Sequence, residues 1–221
     1  MKPVDADAIN IRADLRSAWS SVRDQGRRSS CLACATSDAH AHSRNREALS
    51  AEFLFFHGAK RMPSKSFVQG LTFEAVDTAL STEGQPDETD WPYSKVQPNP
   101  WIPPAVSQRW YGRLNATTND VSSITHKLES GRPVVLGVKL TPQFVGPLPA
   151  PYIVPAAGTG IGGHAVLAVG LGDHAAHGPL ILFRNSWGSR WGDFGYAWLC
   201  AKYLEDKLIG YRVVQSISQS S

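Results

Sequence analysis

Two proline-rich stretches divide the chain of 221 residues into segments with different periodicities. Residues 86–104 contain six of the 15 prolines, and residues 142–155 contain five. Proline lacks a backbone N–H and fixes φ, so neither stretch can continue a helix or a central strand. Before the first stretch apolar residues recur at helical spacing, and beyond it they form short strand-like runs. This order predicts an α+β fold with helices and strands largely segregated.

The boundaries of the predicted elements follow from capping residues and glycines. We expect helices at about 31–45, 73–80 and 121–128, and one that begins after Ser50 with Phe53, Leu54 and His57 on one face. The predicted strands are 133–140, 165–171, 180–184, 195–200 and 208–214. Ser29 or Ser30 is the expected cap of the first helix, and Ser50 that of the second. We predict one domain over 1–221, with an irregular lead-in (1–21), a helical lobe (22–115) and a β-rich lobe (116–221).

Composition excludes several classes of protein. The net charge is +3, which is too small to indicate nucleic-acid binding. There is no apolar run long enough to cross a bilayer, and the first residues lack the apolar core of a secretory signal. The cysteine count is three, which is low and odd and argues against a disulfide framework. We therefore expect a cytoplasmic protein with no nucleic-acid or membrane partner.

Cys31 is the candidate nucleophile. It lies in the first turn of a predicted helix, where free N–H groups and the helix dipole favour a thiolate. Arg27 and Arg28 precede it and add positive potential. The same position also suits a structural cysteine, so a catalytic role requires a base.

Among the seven histidines, His164 is the best candidate for that base. It follows two glycines and opens an apolar strand, a place that a polar ring rarely occupies without a reason. Five of the other histidines lack such a setting: His40 and His42 point to different faces of a helix, His57 lies within a helical pattern, and His174 and His177 fall in a turn where we expect them to be solvated.

The segment 185–196 supplies the third group. Asn185 ends a predicted strand, and its side-chain oxygen can accept a hydrogen bond from an imidazole N–H. Trp187 can cover that bond and exclude water, and two Trp-Gly pairs surround it. A cysteine, a histidine and an asparagine together make a nucleophile, a base and a residue that orients the base.

These blocks resemble those of the papain-like cysteine peptidases. His164 and Asn185 follow Cys31 by 133 and 154 residues, close to the spacing of that family. Gln25 precedes Cys31 by six residues, as in the family's Gln-Gly block. Further matching blocks are Trp91-Pro92-Tyr93 and Leu49-Ser50-Ala51-Glu52-Phe53-Leu54.

The resemblance implies a two-lobe fold and a peptide or protein substrate, with neither cofactor nor metal. Cys31 would attack the scissile carbonyl, His164 would accept the proton, and Asn185 would orient the ring. Gln25 and the Cys31 amide would bind the oxyanion. The residues expected to bind substrate are Gly70, Gly137, Gly163 and Trp187. With two glycines as walls, the pocket for the side chain two residues upstream of the cut should be roomy and neutral, and should prefer a large apolar group.

Other interpretations remain open at this point. The same triad serves acyl transfer, such as deamidation or transglutamination, and a catalytically silent binding module would also retain this fold. The residue three positions before the nucleophile, often a disulfide-bonded cysteine in the family, is Arg28 here. Cys31 and Cys34 form a Cys-x-x-Cys pair, and 158–163 matches G-x-G-x-x-G, but neither has the context of a redox, zinc or nucleotide site.

Overall fold

A computed structural model describes residues 8–64, 68–116 and 120–218. Within these residues the α-helices are α1 (Cys31–Ser43), α2 (Ala51–Arg61), α3 (Phe73–Thr82), α4 (Val121–Glu129), α5 (Pro142–Val145) and α6 (Ala201–Lys207). The strands are β1 (Asn10–Asp14), β2 (Tyr111–Ala116), β3 (Val134–Leu140), β4 (Ile153–Val154), β5 (Gly162–His174), β6 (Gly178–Arg184), β7 (Tyr196–Cys200) and β8 (Leu208–Ile217). This is the expected α+β fold.

The helical lobe is built around α1, which is buried along most of its length and contacts both α2 and β5. The neighbouring helices begin where the sequence predicts. The Ser50 hydroxyl accepts a hydrogen bond from the Phe53 amide at 3.0 Å, and Thr72 caps α3 by accepting from Ala75. Each cap satisfies an amide that would otherwise lack a partner in the first turn.

The sheet runs in the order β2-β8-β3-β5-β6-β7-β4, and β1 pairs with β5 outside this path. The strand β5 is its centre, because it pairs antiparallel with both β3 and β6 and its residues 164–172 are buried. The register pairs Val138 with His164 and Lys139 with Gly163. The strand β5 therefore presents His164 near its beginning, as the first residue of its buried segment, where β5 contacts α1.

The first proline-rich stretch contains no helix or strand, as predicted, and its aromatic side chains anchor it to α2. The ring of Trp101 lies 5.0 Å from that of Phe56, and Trp91 contacts the same residue at 5.6 Å. Tyr93 hydrogen-bonds to Ser30 at 2.5 Å. The loop therefore closes over the side of α2 and reaches the beginning of α1.

Several predictions about the elements were wrong. The lead-in contains β1, whose mostly exposed residues show no apolar alternation, because its pairing with β5 depends on the backbone. The strand β2 was not predicted; it pairs with β8, and its Leu114 amide donates to Asp77 in α3. Residues 1–7 of the lead-in lie outside the described part of the chain. The short elements α5, α6 and β4 were not predicted.

Two further observations concern histidine and cysteine. His174 is buried, with 7% of its surface exposed, and its Nδ1 accepts a hydrogen bond from the Ala176 amide, so the expected solvated ring is wrong. His177 is exposed, as predicted.

All three cysteines are free. Among the described residues we find no helix with the length and apolar character that a membrane span requires.

Candidate active site

Cys31 is the first residue of α1 and lines a cleft between the helical lobe and the sheet. Ser30 occupies the N-cap position, but its side chain caps no amide of the helix, contrary to the prediction. Its hydroxyl is instead engaged with the Tyr93 hydroxyl, which donates to the Gln25 carbonyl at 3.0 Å. The beginning of α1 is thus tied through Tyr93 to the loop that carries Gln25.

His164 and Asn185 lie together on the opposite wall. The His164 Nε2 is 2.8 Å from the Asn185 Oδ1, and the same oxygen accepts the Ser186 amide at 2.8 Å. Two donors converging on one oxygen fix the orientation of the Asn185 amide. Nε2 therefore carries the proton of a neutral His164, and Nδ1 is the nitrogen free to act as a base.

Aromatic side chains cover this hydrogen bond. The Trp187 ring lies 4.6 Å from the His164 ring, and the Phe144 ring lies 5.9 Å from it on another side. Trp191 stacks on Phe144 at 5.6 Å. Phe144 was missed because it belongs to α5, within a stretch predicted to be loop. The sequence does contain a signal for the start of this helix: Thr141 is an N-cap residue, and Pro142 follows it at the first helical position.

Gln25 reaches the site by pairing with the Asn185 loop. Its backbone N–H donates to the Ser186 carbonyl at 2.8 Å, and the Ser186 hydroxyl donates to its side-chain oxygen at 2.6 Å. Its Nε2 donates to the Arg28 carbonyl at 2.7 Å, which uses one of the two amide hydrogens. Gln25 is buried, with 7% exposure, so its side chain is held in one orientation.

The cleft that contains Cys31 and His164 has a volume of about 780 Å³. Three of the four residues predicted to bind substrate line this cleft: Gly70, Gly137 and Gly163. Trp187 packs on His164 and is not part of this lining. Residues that sequence reasoning missed also line it: Leu71, Phe73, Glu74, Ile209 and Arg212.

The walls of the cleft differ from the expected neutral, open pair of glycines. A Cβ on Gly163 would meet Ile209 only at 3.6 Å, whereas one on Gly137 would lie 3.3 Å from the Phe73 ring, which fills that space. Arg212 lies over the Phe73 ring at 4.6 Å and approaches the exposed Glu74 carboxylate at 3.8 Å. The expectation of walls without charge is wrong, because Glu74 of α3 and Arg212 of β8 line the cleft.

The surroundings of Cys31 and His164 disfavour charge on both. Burial raises the pKa of the Cys31 thiol, although the amides of Ala165, Leu32 and Cys31 itself lower it in part. Burial lowers the pKa of His164 to about 4, and the hydrogen bond to Asn185 opposes this change. The predicted lowering of the Cys31 pKa by the helix N-terminus is therefore outweighed by burial.

Comparisons with known proteins show what the whole chain is similar to. The family model for papain family cysteine proteases matches residues 6–214. An uncharacterised peptidase C1-like protein of Acanthamoeba polyphaga mimivirus is 27% identical, over 88% of this chain and 70% of the relative. A probable cysteine protease of Arabidopsis thaliana is 27% identical, over 93% of this chain and 59% of the relative.

A similar solved structure is that of xylellain, a cysteine protease from Xylella fastidiosa. It superposes with a TM-score of 0.80 at 22% identity, covering 99% of this chain and 91% of xylellain. At this identity the superposition supports the fold, and the predicted two-lobe α+β architecture is confirmed.

Proposed function

Because the chain belongs to the papain family of cysteine proteases, we propose that it hydrolyses peptide bonds through a thioester on Cys31. The residues proposed to carry the reaction are Cys31, His164, Asn185 and Gln25. The observation that carries the proposal is the hydrogen bond of 2.8 Å from His164 Nε2 to Asn185 Oδ1. It leaves Nδ1 as the basic nitrogen of a ring that shares its cleft with the Cys31 thiol.

The first half of the reaction forms the acyl-enzyme. The Cys31 Sγ proton moves to His164 Nδ1 as sulfur attacks the scissile carbonyl carbon and the carbonyl π electrons move to oxygen. The oxyanion is stabilised by the Cys31 amide and by the second amide hydrogen of Gln25. When the tetrahedral intermediate collapses, the C–N bond breaks and imidazolium donates its proton to the leaving amine.

The second half releases the acid product. A water molecule gives a proton to His164 and its oxygen attacks the thioester carbon, forming a second oxyanion at the same place. Collapse breaks the C–S bond, and the sulfur takes back the proton from imidazolium.

Labelling and turnover test the assignment together. Iodoacetamide on the native chain should alkylate Cys31 faster than Cys34 or Cys200, because Cys31 lines the cleft and the other two thiols are buried. Cys31→Ala should abolish turnover of a fluorogenic peptide library, and Cys200→Ala should retain it as the matched control. An active Cys31→Ala protein would contradict the proposal.

Product analysis separates hydrolysis from acyl transfer. With a peptide substrate and an added primary amine, hydrolysis gives the free acid as the main product, whereas a transferase gives the amide. We expect the acid. We also propose a cytoplasmic location, since three free thiols suit a reducing compartment, and fractionation of cells that express the chain tests it.

A further inference from the structure

A buried ion pair lies directly beside the loop of the proposed active site. Arg28, three residues before Cys31, is 7% exposed, and Glu52 in α2 is completely buried. The guanidinium donates two hydrogen bonds to the carboxylate, at 2.5 and 2.8 Å. Burying two such charges is unfavourable unless their remaining hydrogen-bonding groups are also satisfied.

Those remaining groups are satisfied by the proline-rich loop. Arg28 donates to the Ser94 carbonyl at 2.6 Å, and the Gln97 side-chain oxygen accepts from it at 3.0 and 3.2 Å. Glu52 accepts the Trp101 indole N–H at 2.6 Å and the Ser94 amide at 3.1 Å. The pair therefore joins the loop before Cys31, the beginning of α2 and residues 94–101 in one network.

Aromatic rings enclose the same guanidinium. Its central carbon lies 4.9 Å from the Phe55 ring, 5.1 Å from Tyr93 and 5.3 Å from Trp101. A planar cation held by a bidentate carboxylate and by rings has little freedom to rotate or shift. Because the guanidinium is immobilised, the Arg28 side chain also restrains the position of the Arg28 backbone.

That backbone contacts the group proposed to bind the oxyanion. The Arg28 carbonyl accepts one amide hydrogen of Gln25 at 2.7 Å, while Ser186 holds the Gln25 side-chain oxygen. With both ends of the amide engaged, the second hydrogen of Nε2 points in one fixed direction. A displacement of the Arg28 carbonyl would turn this hydrogen away, and a small misalignment at an oxyanion donor is costly in rate.

We propose that Arg28 and Glu52 are positioning residues that hold Gln25 in the orientation needed to stabilise the oxyanion. This inference rests on the proposed function, since it gives Gln25 a role in the reaction. It adds a requirement that the triad alone does not contain: the buried ion pair maintains the donor, although neither of its members contacts substrate.

The test compares two reactions that place a former carbonyl oxygen in the oxyanion position, peptide turnover and aldehyde binding, with one that does not. A peptide aldehyde adds to Cys31 so that sulfur bonds to carbon and the thiol proton ends on the former carbonyl oxygen, which occupies the oxyanion position. Iodoacetamide alkylates the same sulfur by displacing iodide and forms no oxyanion. A positioning defect at Gln25 should therefore affect peptide turnover and aldehyde affinity, and leave alkylation unchanged.

The main variants are Arg28→Lys, which keeps the charge and loses the planar fork, and Glu52→Gln, which keeps the shape and loses the charge. In each variant we expect kcat and aldehyde affinity to fall roughly 10–100-fold. This fall is smaller than the one caused by complete loss of an oxyanion donor, because Gln25 is still present. Peptide KM and the rate of Cys31 alkylation should stay within about twofold of the original values, because neither depends on the oxyanion.

Two controls separate positioning from loss of stability. Leu128→Ala in α4, a buried residue outside the cleft lining, should lower thermal stability without changing the ratio of kcat to alkylation rate. Gln97→Ala leaves the Arg28–Glu52 pair itself in place. It removes the two hydrogen bonds from the guanidinium to that side chain, together with the 3.5 Å bond from the Gln97 amide to the Pro98 carbonyl. It therefore tests the proposal even if the main variants do not fold. It should produce the same selective fall in kcat, by a smaller factor.

The possible outcomes distinguish the two proposals. Unchanged kcat and aldehyde affinity in folded Arg28→Lys or Gln97→Ala protein would overturn the positioning role. A parallel fall in alkylation and turnover would also overturn it, since the pair would then act on Cys31 or on the fold as a whole. Retained peptide hydrolysis by Cys31→Ala would instead overturn the proposed function itself, whatever the Arg28 variants do.

Discussion

The two walls of the cleft are organised by different forces. The Cys31 side, which we define as the loop 25–30 with α1, is held by buried polar groups, chiefly the Arg28–Glu52 pair. The His164 side, defined as the beginning of β5 with the loop 185–195, is held by strand pairing and by the rings of Trp187 and Phe144. Hydrogen-bonded ions fix direction, whereas apolar packing fixes position and excludes water.

This difference matches what each side has to do. His164 must remain dry and close to the cleft, which the rings that cover it achieve, and a single hydrogen bond to Asn185 Oδ1 sets the orientation of its ring. Gln25 must aim one hydrogen at an oxygen that becomes charged only during the reaction, which requires directional contacts at both ends of its amide. Variants on the two sides should therefore fail in different ways.

The largest effect is expected on the His164 side. His164→Ala removes the base that accepts the Cys31 proton, so peptide kcat/KM should fall by roughly 10⁴–10⁶-fold. Iodoacetamide alkylation of Cys31 at neutral pH should slow as well, because the thiol loses its proton acceptor. Stopped assays of both reactions on the same preparation measure this, and unchanged alkylation would show that His164 does not activate the sulfur.

The corresponding variant on the Cys31 side should separate the two reactions. Gln25→Ala removes one oxyanion donor, and kcat should fall by roughly 10²–10³-fold. Alkylation of Cys31 by iodoacetamide should remain within about twofold, since it forms no oxyanion. If Gln25→Ala slows alkylation as strongly as His164→Ala does, Gln25 acts on the Cys31 thiol and not only on the oxyanion.

A third prediction concerns the pH dependence of stability on the Cys31 side. His40 in α1 is fully buried, its Nδ1 bonds to Gln85 at 2.8 Å, and burial lowers its pKa to about 4. Its ordinary pKa is near 6.5, so the unfolded chain binds this proton more tightly than the folded one. The contribution to stability is complete above pH 6.5 and is lost as pH falls towards 4, by about 3 kcal/mol.

Urea unfolding between pH 4 and 7 measures this contribution. His40→Gln should reduce the slope of unfolding free energy against pH by up to one proton, or about 1.4 kcal/mol per pH unit. His126→Gln, which replaces an exposed histidine of α4, is the control for the loss of a histidine and should leave the slope as it is. An unchanged slope in His40→Gln would mean that His40 is not buried neutral in solution.

The contrast between the two sides also explains what the sequence predicts well. Continuous apolar runs predicted the strand that carries His164 and the strand that Asn185 follows, and the Trp-Gly pairs indicated the loop 185–195. Apolar packing leaves a periodic signal that can be recognised along the chain. The strand β1 leaves none, because backbone pairing does not depend on side-chain periodicity.

The polar organisation of the Cys31 side was not predicted. Glu52 appears in the sequence as an ordinary acidic residue of the first turn of α2, and nothing local indicates that it meets Arg28, 24 residues away. From the sequence, Arg28 indicated the absence of a disulfide partner and a positive potential near Cys31, but not its buried pairing with Glu52. An ion pair between distant segments forms only because the fold brings those segments together. Its two residues can therefore be identified as partners only from the three-dimensional structure.

The smallest predicted effect concerns the cleft itself, where the two sides meet. The helical lobe contributes Leu71 and Phe73 to its lining, and the sheet contributes Ile209. Burial of a large apolar side chain against these residues should stabilise binding by about 1.5–3 kcal/mol. Peptides with Phe or Leu two residues upstream of the cut should therefore have kcat/KM values roughly 10–100-fold above those with Ala, and fluorogenic peptides varied at that position measure this.

Glu74 makes the prediction for a basic side chain more specific. Its carboxylate is 79% exposed and lies 3.8 Å from Arg212, so it is both solvated and partly neutralised. An Arg in the substrate would gain little from such a carboxylate. It should be cleaved more slowly than Phe, and Glu74→Gln should change the ratio of Phe to Arg cleavage by less than about fivefold. Phe73→Ala should reduce the Phe preference more than Glu74→Gln does. A clear preference for Arg that disappears in Glu74→Gln would show that charge, and not apolar contact between the two sides, governs this part of the cleft.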